Sequence, residues 1–117
     1  MRVAIPVMDG RVERVFDSAT TIMVIDLRDD GRADFFETAL ELRSMKNRAS
    51  ELAAMRVDVV LCDEISHALE TLITAHGIEV KTKHSGRVDE AMKCLVDPKH
   101  RHSRSSDERW SQLTTIS

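Results

Sequence analysis

The chain has 117 residues, of which 42% are apolar, with twenty acidic and seventeen basic residues and a formal net charge of −3. That supports one hydrophobic core and one domain, and no apolar run approaches the roughly 20 residues that a membrane-spanning helix needs. Three Phe, one Trp and no Tyr, on a mildly acidic chain, give neither the stacking platform nor the positive field of a nucleic-acid binder.

The opening Met1-Arg2-Val3-Ala4-Ile5-Pro6-Val7 is too short and too soon interrupted to read as a signal peptide. It reads as a strand near 2–8, with Val3, Ile5 and Val7 on one face and Ala4 and Pro6 on the other, closed by the turn pair Asp9-Gly10. Thr21-Ile22-Met23-Val24-Ile25-Asp26-Leu27 is nearly continuous in apolar character, as a strand covered on both faces should be. Asp29-Asp30-Gly31 offers a hairpin turn into a partner strand near 32–39, with Phe35 and Phe36 on opposite faces.

The period then changes. Met45, Ala49, Leu52 and Ala53 mark a helical stripe, predicting a helix over 47–56. Residues 58–62 form a short apolar strand of the buried parallel type. Ile65, Ala68, Leu69, Leu72 and Ile73 follow at i, i+3, i+4, i+7, i+8 spacing, predicting a helix over 64–76 that closes at Gly77 with Ile78 as its hydrophobic contact. A strand at 78–82 and a helix at 87–96, stopped by Pro98, complete the domain. The order β-β-β-α-β-α-β-α predicts a mixed five-stranded sheet with helices on its faces. The first, fourth and fifth strands are expected parallel, and the second antiparallel to the first.

Residues 97–117 differ in character. Lys99-His100-Arg101-His102-Ser103-Arg104 is polar and low in complexity and reads as a tail, although Trp110, Leu113 and Ile116 have the spacing of a short docking helix. Cys62 and Cys94 are too few for a disulfide framework and suit a reducing, cytoplasmic setting. Cys94, beside Leu95 on the last helix, is expected in the core.

Several segments resemble the dinitrogenase iron–molybdenum cofactor biosynthesis family: Met1–Val7, Asn47, Val57-Asp58-Val59-Val60-Leu61-Cys62, Gly77-Ile78-Glu79-Val80 and Ser85-Gly86-Arg87-Val88-Asp89-Glu90-Ala91. Their order and spacing cover roughly residues 1–96. The resemblance implies a ribonuclease H-like sheet, in agreement with the order above, and a small protein that carries an iron- or molybdenum-containing sulfur cluster among cofactor-biosynthesis partners. The sequence departs from the family at two loops. Val15-Phe16-Asp17 stands where the family usually has His-Phe-Gly, and Asp63-Glu64-Ile65-Ser66 replaces a glycine-rich loop.

Ligands of open sheets gather beyond the carboxyl ends of parallel strands. Met8-Asp9-Gly10, Cys62-Asp63-Glu64 and Thr82–Gly86 should meet there, covered by the loop of Phe16 and Asp17. The candidate binding residues are therefore Asp9, Phe16, Asp17, Asp63 and Ser85. Cys62, at a strand end before a helix, combines with His67 and His84 as the donors available to a soft metal. The alternatives are a buried, inert Cys62 with exposed histidines, and Asp63 and Glu64 as caps of the following helix or as partners of Asp9 or Asp17 around a hard cation. A cluster carrier is the first functional expectation. A cluster-free interaction module is the second. A two-metal nuclease is the third, disfavoured because residues 2–8 contain no acid.

Overall fold

The computed structural model describes residues 1–40 and 44–95, the side chains of Cys94 and Leu95 excepted. The expectations for Cys94 and for the 97–117 tail, including His100, His102, Trp110, Leu113 and Ile116, lie outside the described residues.

The elements run β1 (Arg2–Met8), β2 (Arg11–Val12), a 3-10 turn (Phe16–Ser18), β3 (Thr21–Leu27), β4 (Ala33–Ala39), α1 (Met45–Ala54), β5 (Val59–Leu61), α2 (His67–Thr74), β6 (Glu79–Lys81) and α3 (Val88–Leu95). The sheet order is β4-β3-β1-β5-β6. β1 is antiparallel to β3 and parallel to β5, which is parallel to β6. This is the mixed sheet that the pattern predicts. The difference is β2, a two-residue strand antiparallel to the end of β1. Asp9 and Gly10, both at positive φ, make the two-residue turn that this hairpin requires.

The alternation along β1 separates two cores. Ala4 joins Phe16, Ile22, Val24, Leu52, Val60, Cys62, Leu69 and Ile73 in one of them, the layer beneath α1 and α2. Val3, Ile5 and Val7 join Ile25, Val59, Leu61, Ala91 and Met92 in the other, beneath α3. Phe35 packs on the second core, whereas Phe36, on the opposite face of β4, is half exposed.

Two helix starts differ from the sequence reading. α1 begins at Met45, where the Ser44 hydroxyl caps Asn47 N–H at 3.0 Å. α2 begins at His67, not 64, and its cap is Ser66, whose hydroxyl accepts from Leu69 N–H at 3.2 Å. Asp63 and Glu64 therefore do not cap α2. Their backbones are drawn into pairing instead: Glu64 N–H donates to the Arg14 carbonyl and Phe16 N–H to the Glu64 carbonyl, while Lys83 N–H donates to the Asp63 carbonyl. A backbone bonded on both sides stays extended, and Ser66 is the first side chain beyond it able to turn back on the helix. At the other end, Gly77 takes φ +82° and donates to the Thr74 carbonyl, with Ile78 buried behind it.

Leu69 is fully buried and Leu72 only partly so. Leu69→Ala should cost about 2–5 kcal/mol in urea unfolding, and Leu72→Ala clearly less. Equal losses would mean that the buried face of α2 is misassigned.

Candidate functional site

The segments that the topology sends to the carboxyl edge of β1, β5 and β6 do meet. Val12 N–H donates to the Gly86 carbonyl at 2.8 Å and Val88 N–H to the Gly10 carbonyl at 3.1 Å, so the β1–β2 hairpin is bonded to the loop before α3. His84 N–H donates to the Cys62 carbonyl at 3.0 Å, tying the end of β6 to the end of β5. The segment after β2 crosses this edge and pairs with Glu64, with Val15 opposite it in a parallel bridge.

Within this frame Asp9 and Ser85 are exposed on their turns, while Asp63 and His84 are half-buried. Phe16 is fully buried and anchors the 3-10 turn in the core. Asp17, next to it, is held by Ser66 in two places: Ser66 N–H donates to Oδ1 at 2.8 Å and the Ser66 hydroxyl to Oδ2 at 2.6 Å. Because the same hydroxyl accepts from Leu69 N–H, Asp17 and Ser66 close the N-terminus of α2 together. A carboxylate in this place satisfies free N–H groups and complements the helix dipole.

Arg48 lies behind this contact. It is 2% exposed, on the buried face of α1, and its Nη1 donates to the Phe16 carbonyl at 3.4 Å. Burial lowers its pKa, and the nearby charges of Asp17 and Glu51 act in the opposite sense. Arg48 and Ser66 are the residues that the sequence reading passed over. Both left a signal. Arg48 falls three residues after Met45 on the apolar stripe of α1, and Ser66 immediately precedes the α2 stripe.

Cys62 is fully buried in the core beneath α1 and α2. Its thiol is pushed up to about 12, first by burial and then by the charges of Glu70, Asp63 and Asp17. It is therefore a protonated core residue rather than a thiolate. His67 is exposed at the first position of α2, not one turn into it. Among the described residues no three His, Cys, Asp or Glu side chains gather so that they could hold a metal ion. The set Cys62, His67 and His84 is thus not assembled: the cysteine side chain lies inside the core, His67 is exposed at the start of α2, and His84 is half-buried in the loop after β6. These donors do not fit a metal–sulfur cluster in this arrangement. What the edge does supply is a helix start, a carboxylate bonded to it, and a buried guanidinium on which that carboxylate's charge acts.

Two measurements follow. Since the folded thiol titrates above its ordinary value of 9.0, the unfolded chain releases the Cys62 proton first as pH rises. The contribution of this group to stability is therefore complete below about pH 9 and is lost between about pH 9 and 12. In a Cys94→Ser background, native Cys62 should resist alkylation at neutral pH and react only on unfolding; rapid reaction of that folded variant would contradict the buried site. Separately, a double-mutant cycle of Asp17→Ala and Ser66→Ala should return a coupling energy of about 1–3 kcal/mol, and near-additivity would show that the contact carries no energy.

No curated protein matches the chain. Solved structures do. That of PH0822 aligns with a TM-score of 0.73 at 20% identity, covering 81% of this chain and 89% of the other. The proposed dinitrogenase MJ0327 of Methanocaldococcus jannaschii aligns with a TM-score of 0.64 at 15% identity, covering 81% and 86%. The proposed NifB protein TM1290 of Thermotoga, assigned to the DUF35 family, aligns with a TM-score of 0.59 at 26% identity, covering 80% and 85%. The family model described as dinitrogenase iron-molybdenum cofactor matches residues 1–97, and the chain belongs to that family.

Proposed function

We propose that this domain is an interaction module of the cofactor family, working in the cytoplasm beside cofactor-biosynthesis proteins, and that in its resting arrangement it holds no metal–sulfur cluster. The observation that carries this reading is the contact of Asp17 with Ser66. The loop at the family's His-Phe-Gly position is bound to α2 through a carboxylate, so the edge presents negative charge where an anionic cluster would need donors. Burial of the Cys62 thiol supports it, because the soft donor at this edge is sealed in the core. The role is one of binding rather than catalysis. β1 contains no acid, so the nuclease arrangement lacks its central carboxylate.

The family match favours a second reading, a cluster carrier. On that reading the 13–18 loop must leave α2 and Cys62 must come out of the core before a cluster is bound.

The two separate on anaerobic reconstitution with ferrous iron and sulfide, followed by desalting and elemental analysis. The module reading expects substoichiometric metal, unchanged in Cys62→Ala. Stoichiometric iron and sulfide that is lost in Cys62→Ala would establish the carrier instead.

A further inference from the structure

The guanidinium of Arg48 is short of an acceptor. Arginine has five N–H donors. Here one nitrogen reaches the Phe16 carbonyl at a long 3.4 Å, and the other, Nη2, is buried with no hydrogen-bond partner among the described residues. Leaving a buried charged donor unpaired is costly. The counter-charges acting on it are Asp17 and Glu51; the two oxygens of Asp17 accept from the N–H and hydroxyl of Ser66 at 2.8 and 2.6 Å, and neither is a hydrogen-bond partner of Nη2. The start of α1 lies against the start of α2, with Met45 Sδ 4.0 Å from the Ser66 hydroxyl. The N-terminus of α2 is bonded to the Asp17 carboxylate, and the charge of the same carboxylate acts on Arg48, whose Nη1 holds the neighbouring Phe16 carbonyl and whose Nη2 is left without a partner among the described residues.

We infer that this place is a binding site for a small tetrahedral oxyanion, and that Asp17 is a built-in plug which the oxyanion displaces. This deepens the reading of the edge as a binding surface. A tetrahedral oxyanion has more acceptor oxygens than a carboxylate, so it can take up the Ser66 N–H and hydroxyl and still offer an oxygen to Arg48 Nη2. Helix N-termini suit such anions. The move that opens the site is local. Asp17 sits on a three-residue turn and is only half-buried, with Ser18 beyond it exposed, while the neighbouring Phe16 remains fixed in the core.

The test is titration of the full chain with inorganic phosphate at constant ionic strength, followed through the Ser66 amide signal. Asp17→Gly empties the seat and removes a like charge, so it should bind phosphate about tenfold more tightly than wild type or better, as expected when a like-charge interaction of about one pKa unit is lifted. Arg48→Gln added to Asp17→Gly should abolish that gain; if this double variant fails to fold, Ser66→Ala in the same background makes the comparison. Acetate, with no more acceptor oxygens than Asp17, should bind less tightly than phosphate. The inference is overturned if Asp17→Gly gains nothing, if removal of Arg48 or Ser66 leaves the gain intact, or if acetate binds as well as phosphate. None of these readings uses iron or sulfide, so failure here and failure of the cluster-free reading are distinguishable.

Discussion

Burial of β1 on every side is the constraint on which the rest of the structure depends. The strand is bonded to β3 on one side and β5 on the other, and Val3, Ala4 and Ile5 are fully buried between two cores. A strand that is apolar on both faces cannot stand at an edge. With β1 in the centre, β5 and β6 extend the sheet in parallel and β3 and β4 extend it in antiparallel. The ends of β1, β5 and β6 then open toward the same edge. The loops that follow them have no other place to go, and their backbones bond to one another there.

At that edge, burial first and charge second decide which residues are available for chemistry. Cys62 follows β5 on the segment that leads to α2, and a thiol at a helix start would ordinarily favour a thiolate. Two effects oppose this. The sulfur is inside the core, and the charges that act on it, those of Glu70, Asp63 and Asp17, are negative. Burial dominates, and the cysteine behaves as a small hydrophobe. The helix start instead receives the carboxylate of Asp17, which lies close enough to gain two hydrogen bonds from Ser66. The exposed ion pair of Arg14 with Glu64, 3.4 Å apart, adds little; in this loop the hold comes from the backbone pairing and the buried Phe16 ring.

Among the described residues, Arg48 is the buried charged side chain and the one with a buried polar atom lacking a partner: its Nη1 makes one long hydrogen bond and its Nη2 makes none. A hydrocarbon of similar volume would fill the space between α1 and the Phe16 turn without the desolvation cost of a guanidinium. Through the Phe16 carbonyl and the charge of Asp17, the arginine adds a polar tie between α1 and the 3-10 turn to the packing there.

The fold was legible in the sequence because it rests on local periodicity. Period-two alternation in β1, the Asp-Asp-Gly turn before β4, the i, i+3, i+4 stripe of α2 and the glycine beyond it each carry their signal in neighbouring residues, and burial simply follows them. The edge was legible as a place, since topology alone sends the loops there. Its chemistry was not. That Asp63 and Glu64 give up the cap to Ser66 depends on Arg14 and Phe16, some fifty residues earlier, pairing with that backbone. That the Cys62 side chain is buried and its thiol held protonated depends on how deeply the β5 end sits beneath α1 and α2. That Arg48 faces inward depends on the helix rotation that brings the Phe16 carbonyl within reach. The sequence by itself determined five of the strands, the three helices, their order and the parallel pairing of β1, β5 and β6, because hydrophobic period is a local property; β2 and the 3-10 turn depend on tertiary pairing. Only the tertiary structure decided which polar groups meet, because hydrogen bonds and charges act over a few ångströms between residues far apart in the chain.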